Sequence, residues 1–132
     1  MTGRPFPIDF STLEPDPRPR TWLVLPSGFD AKAACDEASP HFTADPETLL
    51  EAFIEAALSE PRTELVRREG LQAEIRQESK VLKFKDFVTV EARAHGDGSE
   101  LAVYSRSTVG FWDLNVNRKR VRRWIEMTQK RL

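Results

Sequence analysis

The chain offers almost no sulfur chemistry. Its one cysteine, Cys35, excludes an internal disulfide. No histidine stands beside Cys35, so it reads as a buried or half-buried small side chain rather than a nucleophile. Long apolar runs are missing too: the longest uncharged one, Trp22 to Leu25, falls far short of the ~18 residues of a membrane span. No charged-then-greasy leader opens the sequence, so a soluble, cytoplasmic protein without a transmembrane segment is expected. Catalytic signatures are absent: there is no Gly-x-Ser-x-Gly elbow, no phosphate-binding Gly-x4-Gly-Lys loop and no His-Glu-x-x-His. Histidine is nearly absent. His41 and His95 lie far apart, and with one cysteine they make no zinc site without help from Asp or Glu. No metal and no cofactor is therefore expected.

What remains is an ordinary globular composition. At 132 residues the chain suits one domain and can bury roughly two thirds of its unfolded surface. Hydrophobic residues at 39% and charged residues at 31% fit a folded, soluble protein. The net charge of −1 hides an asymmetry. Between positions 115 and 132, Arg118, Lys119, Arg120, Arg122, Arg123, Lys130 and Arg131 face only Glu126, so this end carries +6 and the rest −7. A solvated helix face is the commonest source of such a run. Weak contact of Arg118, Lys119, Arg122 and Arg123 with an anionic surface is the second reading. With a pI near 6.2 and no recognised module, no nucleic-acid partner is expected.

Six of the nine prolines fall within the first 26 residues. Proline removes an amide donor and restricts its neighbour, so residues 1–20 read as an extended arm and residues 21–132 as a single domain. Trp22 to Leu25, closed by Pro26, suits an edge strand. Residues 27–42 read as loop. Asp45-Pro46-Glu47 then supplies a cap acceptor, a proline at the first helical position and a first-turn acid. Leu49, Leu50, Phe53, Ile54, Ala57 and Leu58 follow on one helical face, and Pro61 ends it.

The period then changes to two. Leu71, Ala73 and Ile75 alternate with Gln72, Glu74 and Arg76, and Val88, Val90, Ala92 and Ala94 alternate with Thr89, Glu91 and Arg93. Gly70 and the His95-Gly96-Asp97-Gly98 run punctuate hairpins. The last segment is helical again, with Val121, Trp124, Ile125, Thr128 and Leu132 on one stripe and Asp113 or Asn115 as N-cap. The order strand, helix, four strands, helix predicts an α+β domain: an antiparallel, curved sheet with both helices on one face. TATA-box-binding-protein-like and helix-grip domains share that order, an analogy of fold that carries no function.

The most informative stretch runs Ser105-Arg106-Ser107-Thr108-Val109-Gly110-Phe111-Trp112-Asp113-Leu114-Asn115-Val116-Asn117-Arg118-Lys119-Arg120-Val121. It resembles the C-terminal signature of a bacterial and plastid family known as a domain of unknown function, Ser-Arg-Ser-Arg-x-Gly-x-Ser-Asp-Leu-Gly-Val-Asn-Arg-x-Arg-Val. Pro61-Arg62-Thr63, Trp22-Leu23-Val24 and Phe84-Lys85-Asp86-Phe87 (Phe-Pro-Asp-Tyr in the family) extend the resemblance over roughly residues 20 to 126. The departures are Thr108 for Arg, Trp112 for Ser, Asn115 for Gly and Lys85 for Pro. Members of that family often carry a membrane segment before the domain, and related proteins are accordingly expected at membranes.

Two readings of the signature follow. In the structural one, Asp113 and Asn115 cap the last helix, Asn117 satisfies loop carbonyls, and Arg106 pairs with Asp86 on the neighbouring strand. In the functional one, Asp86, Ser105, Arg106, Ser107, Asp113, Asn117 and Arg118 line a polar pocket for a small anion. The resulting expectation is an uncharacterised protein acting as a non-enzymatic binding or interaction domain. The alternatives are an enzyme or anion-binding pocket around Asp86, Arg106 and Asp113, and an apolar ligand or lipid held between the sheet and the last helix.

Overall fold

The alternating segments become the centre of one sheet in a computed structural model that describes residues 4–132. The first three residues of the expected arm lie outside the described residues. The elements are β1 (Thr21–Leu25), β2 (Glu37–Ala38), α1 (Pro46–Leu58), β3 (Thr63–Glu69), β4 (Gln72–Glu78), β5 (Lys85–His95), β6 (Gly98–Ser107) and α2 (Val116–Arg131). Their order across the sheet is β2-β1-β6-β5-β4-β3. Neighbours run antiparallel from β1 to β3, as the hairpin glycines require.

The exception is β2, which pairs parallel with β1 through Val24↔Glu37 and Leu25↔Ala38. The sheet is therefore mixed, not wholly antiparallel. Two residues carry no period, so β2 left no trace in the sequence pattern. It is held by the Asp36 and Ser39 amides, which donate to the Leu23 and Leu25 carbonyls at 2.8 Å.

Helix α1 starts as its sequence dictates. Asp45 accepts from the Thr48 amide at 2.8 Å, and Pro46 occupies a position where its missing N–H costs nothing. Phe53 of α1 and Trp124 of α2 meet edge-to-face, with ring centroids 6.0 Å apart. Around them Leu49, Leu50, Ala73, Ile75, Val88, Val90, Val103 and Val121 are fully buried in one cluster. These side chains fill the seam between the sheet and α2. Among the large apolar positions, three depart from expectation. Leu71 is 39% exposed because it sits in the β3–β4 turn rather than on β4, and Leu58 and Leu132 lie at helix ends, half out of the core.

The second face of the sheet is covered as well. Ile8 and Phe10 of the proline-rich segment pack on Leu23, Leu25, Ala102 and Tyr104. The Tyr104 hydroxyl accepts from the Asp16 amide at 2.9 Å, and the Gln72 side chain exchanges two hydrogen bonds with the Ile8 backbone. The edges differ: β2 is two residues long, and β3 is charged and broken by a register shift between Leu65 and Arg67.

Glu60, just beyond α1, ties the helices together. It accepts from Trp124 Nε1 at 2.8 Å, from Arg123 at 2.5 and 2.9 Å, and from Gln77 at 2.9 Å. Burial pushes its carboxyl up, but these donors outweigh burial and hold it at about 2. Truncating Trp124 or Phe53 to alanine should cost ~3–5 kcal/mol by chemical denaturation, and Leu71→Ala much less. A lowered folded-state pKa stabilises above the ordinary value of 4.5 and is lost as pH falls toward about 2. The Tm gap between wild type and Glu60→Gln should therefore be widest near neutral pH and close in acid.

Candidate functional site

Five of the seven expected site residues converge on α2, around a residue the sequence reading left out. Arg120 is buried among polar groups on the helix-facing side of the sheet. It donates to Asp86 Oδ2 at 2.7 Å, to Gln77 Oε1 at 2.7 Å, to Asn117 Oδ1 at 2.7 Å and to Ser105 Oγ at 3.3 Å. Asn117, fully buried, is the second hub. Its amide nitrogen donates to Ser107 Oγ at 2.9 Å, to Asp113 Oδ2 at 2.7 Å and to the Arg20 carbonyl at 3.0 Å, while its oxygen accepts from Ser105 Oγ at 2.6 Å. The signal was present: Asn117 and Arg120 continue the 121, 124, 125, 128 stripe toward its N-terminus. Their polarity masked their place on the buried face.

Capping is divided between the two expected residues. Asn115 occupies the N-cap position with φ 65° and makes no side-chain cap bond. Asp113 accepts from the Asn115 amide at 2.9 Å and the Asn117 amide at 3.1 Å, so the acid two residues upstream closes the helix start. Left-handed φ favours glycine, and asparagine is among the few other residues that tolerate it.

Arg106 does not pair with Asp86. Asp86 faces the helices and Arg106 faces the N-terminal segment, because Asp86 is opposite Ser107 and Arg106 opposite Phe87 in the β5–β6 register. A shift of one residue reverses the face. Arg106 instead donates to Thr89 Oγ1 at 2.9 Å and to the Tyr104 carbonyl at 3.0 Å, with Glu74 at 3.4 Å. Fully buried Glu74 also accepts from Arg4 and Arg67 at 2.9 Å. Burial lowers the Arg106 guanidinium to about 10 against the pull of the Glu74 charge. Burial likewise raises the Glu74 carboxyl, but its arginine partners keep it below the usual range.

Arg118 stands apart from both groups, its guanidinium 5.5 Å from the centre of the Trp22 ring. With Asp16, Arg18, Trp22, Asp36 and Trp112 it borders a shallow cleft of about 330 Å³. Arg122 is engaged by Glu37 at 3.2 Å and Arg123 by Glu60, so the expected cationic face has fewer free charges than its sequence implies.

The sheet end beside this cleft is apolar and uncovered. The turn 79–84 exposes Val81, Leu82 and Phe84, and the segment 108–116 exposes Val109, Phe111 (70%), Trp112 (57%), Leu114 and Val116. Both leave the same end of β5 and β6, and Thr108 Oγ1 donates to the Lys85 carbonyl at 2.9 Å between them. Lys80, Lys83, Lys85, Arg118 and Lys119 flank these residues in sequence, with Asp113 among them and Asp16 and Asp36 on the cleft that Trp112 and Arg118 border.

At the opposite end of the sheet His41 and His95, distant in sequence, come together with ring centroids 5.8 Å apart. Glu100 Oε2 lies 3.0 Å from His41 Nδ1 and 3.3 Å from His95 Nδ1, and His41 Nε2 lies 2.7 Å from Asp97 Oδ1. The bonds to Asp97 and then Glu100 hold the His41 pKa above its ordinary value. Sequence distance hid this group. Cys35, expected to be at least half-buried, is exposed and belongs to none of these clusters.

A family model described as protein of unknown function (DUF1499) matches residues 13–127. No curated protein matches the chain. Among solved structures, protein CV1439 from Chromobacterium violaceum is similar at 11% identity and a TM-score of 0.42, covering 85% of this chain and 94% of its own. TTHA0849 from Thermus thermophilus is similar at 15% identity and a TM-score of 0.35, covering 70% of this chain and 90% of its own.

The hub residues separate from the peripheral one by stability. Arg120→Met should cost ~3–5 kcal/mol in urea unfolding, because Asp86 is left buried and unpaired. The Asp86→Asn/Arg120→Met pair should recover part of that loss. Arg118→Gln should stay within about 0.5 kcal/mol of wild type.

Proposed function

The chain belongs to the family of proteins of unknown function DUF1499, and we propose that it is an interaction domain that docks on an anionic membrane surface through the apolar end of its sheet. Residues 21–132 form the domain in this reading, and residues 1–20 an arm strapped to its outer face. One observation carries the proposal. Eight large apolar side chains, from Val81 to Val116, stand exposed on two adjoining segments. Five cations flank them. Large apolar side chains left exposed together at one end of a folded monomer suit an interaction surface. Aromatic tips ringed by Lys and Arg suit the boundary between lipid headgroups and acyl chains, where the rings are buried and the charges face phosphate.

No helix among the described residues is long and apolar enough to cross a membrane, so contact of this kind is peripheral. Binding rather than catalysis also fits the polar network. Asp86, Ser105, Ser107, Asp113 and Asn117 are hydrogen-bonded to one another and to Arg120. Such a network clamps α2 onto the sheet.

Vesicles of phosphatidylglycerol and phosphatidylcholine test the proposal. Trp124 is buried and Trp22 half-buried, so a blue shift on adding vesicles would report Trp112. The shift should appear with anionic vesicles, weaken as salt rises and vanish in the Phe111→Ser/Trp112→Ser variant, with Tm nearly unchanged. Replacing Lys80, Lys83 and Lys85 with glutamine should weaken binding about a hundredfold, at roughly 1 kcal/mol per cation. Anionic vesicles that leave the emission unmoved at low salt would overturn the reading.

A further inference from the structure

We propose that His41, His95 and Glu100 form a binding site for a divalent transition-metal ion of the zinc class, with Nδ1 of each ring and Oε2 of the carboxylate as ligands. The ligand atoms all lie within 4.8 Å of one another. Two ligands of a tetrahedral zinc, each about 2.0–2.2 Å from the ion, are about 3.4 Å apart. Glu100 Oε2 meets that spacing to both rings, at 3.0 and 3.3 Å. Two imidazoles and one carboxylate suit zinc, cobalt, nickel or copper better than magnesium or calcium.

Hydrogen-bond chemistry points the same way. His95 Nε2 is 2.9 Å from the Ser27 carbonyl oxygen, which can only accept. Nε2 therefore carries the proton in the neutral ring, and the lone pair of Nδ1 faces the Glu100 carboxylate. His41 lies between two carboxylate oxygens, Asp97 Oδ1 at Nε2 and Glu100 Oε2 at Nδ1. A neutral ring satisfies only one of them. With Nε2–H donating to Asp97, the Nδ1 lone pair of His41 also points at Glu100. Three acceptors thus converge on one point, the arrangement a bound dication would satisfy.

The outer contacts are those that orient metal ligands. Asp97 on His41 and the Ser27 carbonyl on His95 each hold the far nitrogen of a ring. The Ser27 amide holds Glu100 Oε1 at 2.8 Å. The backbone fixes the three positions in advance. His95 and Glu100 flank a two-residue turn begun by Gly96 at φ 58°. The segment after His41 is locked to it by paired bonds between Phe42 and Ser99, at 2.9 and 3.0 Å. Gly98 makes that approach feasible, since a Cβ there would lie 1.9 Å from the Phe42 carbonyl oxygen. The Glu100 side chain is 3% exposed and both rings are 36% exposed, so an ion can enter and water can complete its shell.

The experiment uses the full chain after chelator treatment, titrated with zinc by calorimetry and with cobalt by visible absorption. One equivalent should bind, with the d–d bands of four- or five-coordinate cobalt and a rise in Tm. His95→Gln should abolish binding, and Asp97→Asn should weaken it about 10–100-fold as an orienting contact. Cys35→Ser should leave it intact. The chain has two histidines, so imidazole ¹⁵N spectra of the wild type provide a check free of any variant: zinc should move Nδ1 of both rings. Absence of saturable binding, binding that survives His95→Gln, or unmoved Nδ1 resonances would overturn the proposal. The vesicle experiment concerns the other end of the sheet, so either reading can fail alone.

Discussion

Everything in this domain is arranged around a guanidinium that has been taken out of water. Arg120 lies between α2 and the sheet, where an unpaired charge would be prohibitive. Its partners come from four elements: Asp86 on β5, Gln77 on β4, Ser105 on β6 and Asn117 on α2 itself. Meeting that one charge fixes the rotation of α2 about its axis, because only one setting presents Arg120 and Asn117 to the strands. Trp124 and Val121 follow into the core on the same stripe. Apolar burial supplies the driving force and the polar clamp supplies the register, a role with precedent for buried polar groups.

The two ends of the sheet are consequently unlike. At the His95–Gly98 turn the strands are stitched to the 41–44 segment by backbone pairs and by Ser99 Oγ donating to the Ala44 carbonyl at 2.6 Å. At the other end, beyond Lys85 and Ser107, the chain spends eight residues on large apolar side chains that the core does not use. The Asp113–Asn117 contacts anchor the inner margin of that end. A rigid margin under exposed apolar tips is the form expected of a surface that meets something.

Much of the fold could be read from the sequence because its signals are local. The Asp45-Pro46 start of α1, the glycine turns and the period-two alternation are each set within a few residues, and each stands in the structure. The misses are of another kind. β2 is two residues long, held by backbone bonds to β1 and by Glu37 side-chain contacts with Trp22 and Arg122, and leaves no pattern. Asp86 and Arg106 both lie at the right end of adjacent strands, but a difference of one residue in register sends them to opposite faces. Arg120 was hidden because a charged residue on an apolar stripe reads as an interruption. His41 and His95 meet only because Gly98 admits a backbone passing over it, and such contact between distant segments is invisible to spacing rules.

The edges of the sheet bear on how such a protein behaves in a crowded solution. A long, flat, unpaired edge invites another strand, and chains that offer one polymerise. Here β2 is only two residues long, and the outer strand β3 carries Glu64, Arg67, Arg68 and Glu69 along with its break in register. Neither edge provides an even ladder of free amides and carbonyls. The domain can therefore carry an oily end at high concentration without its strands templating fibrils, and any clumping would have to come from side chains, which detergent can reverse.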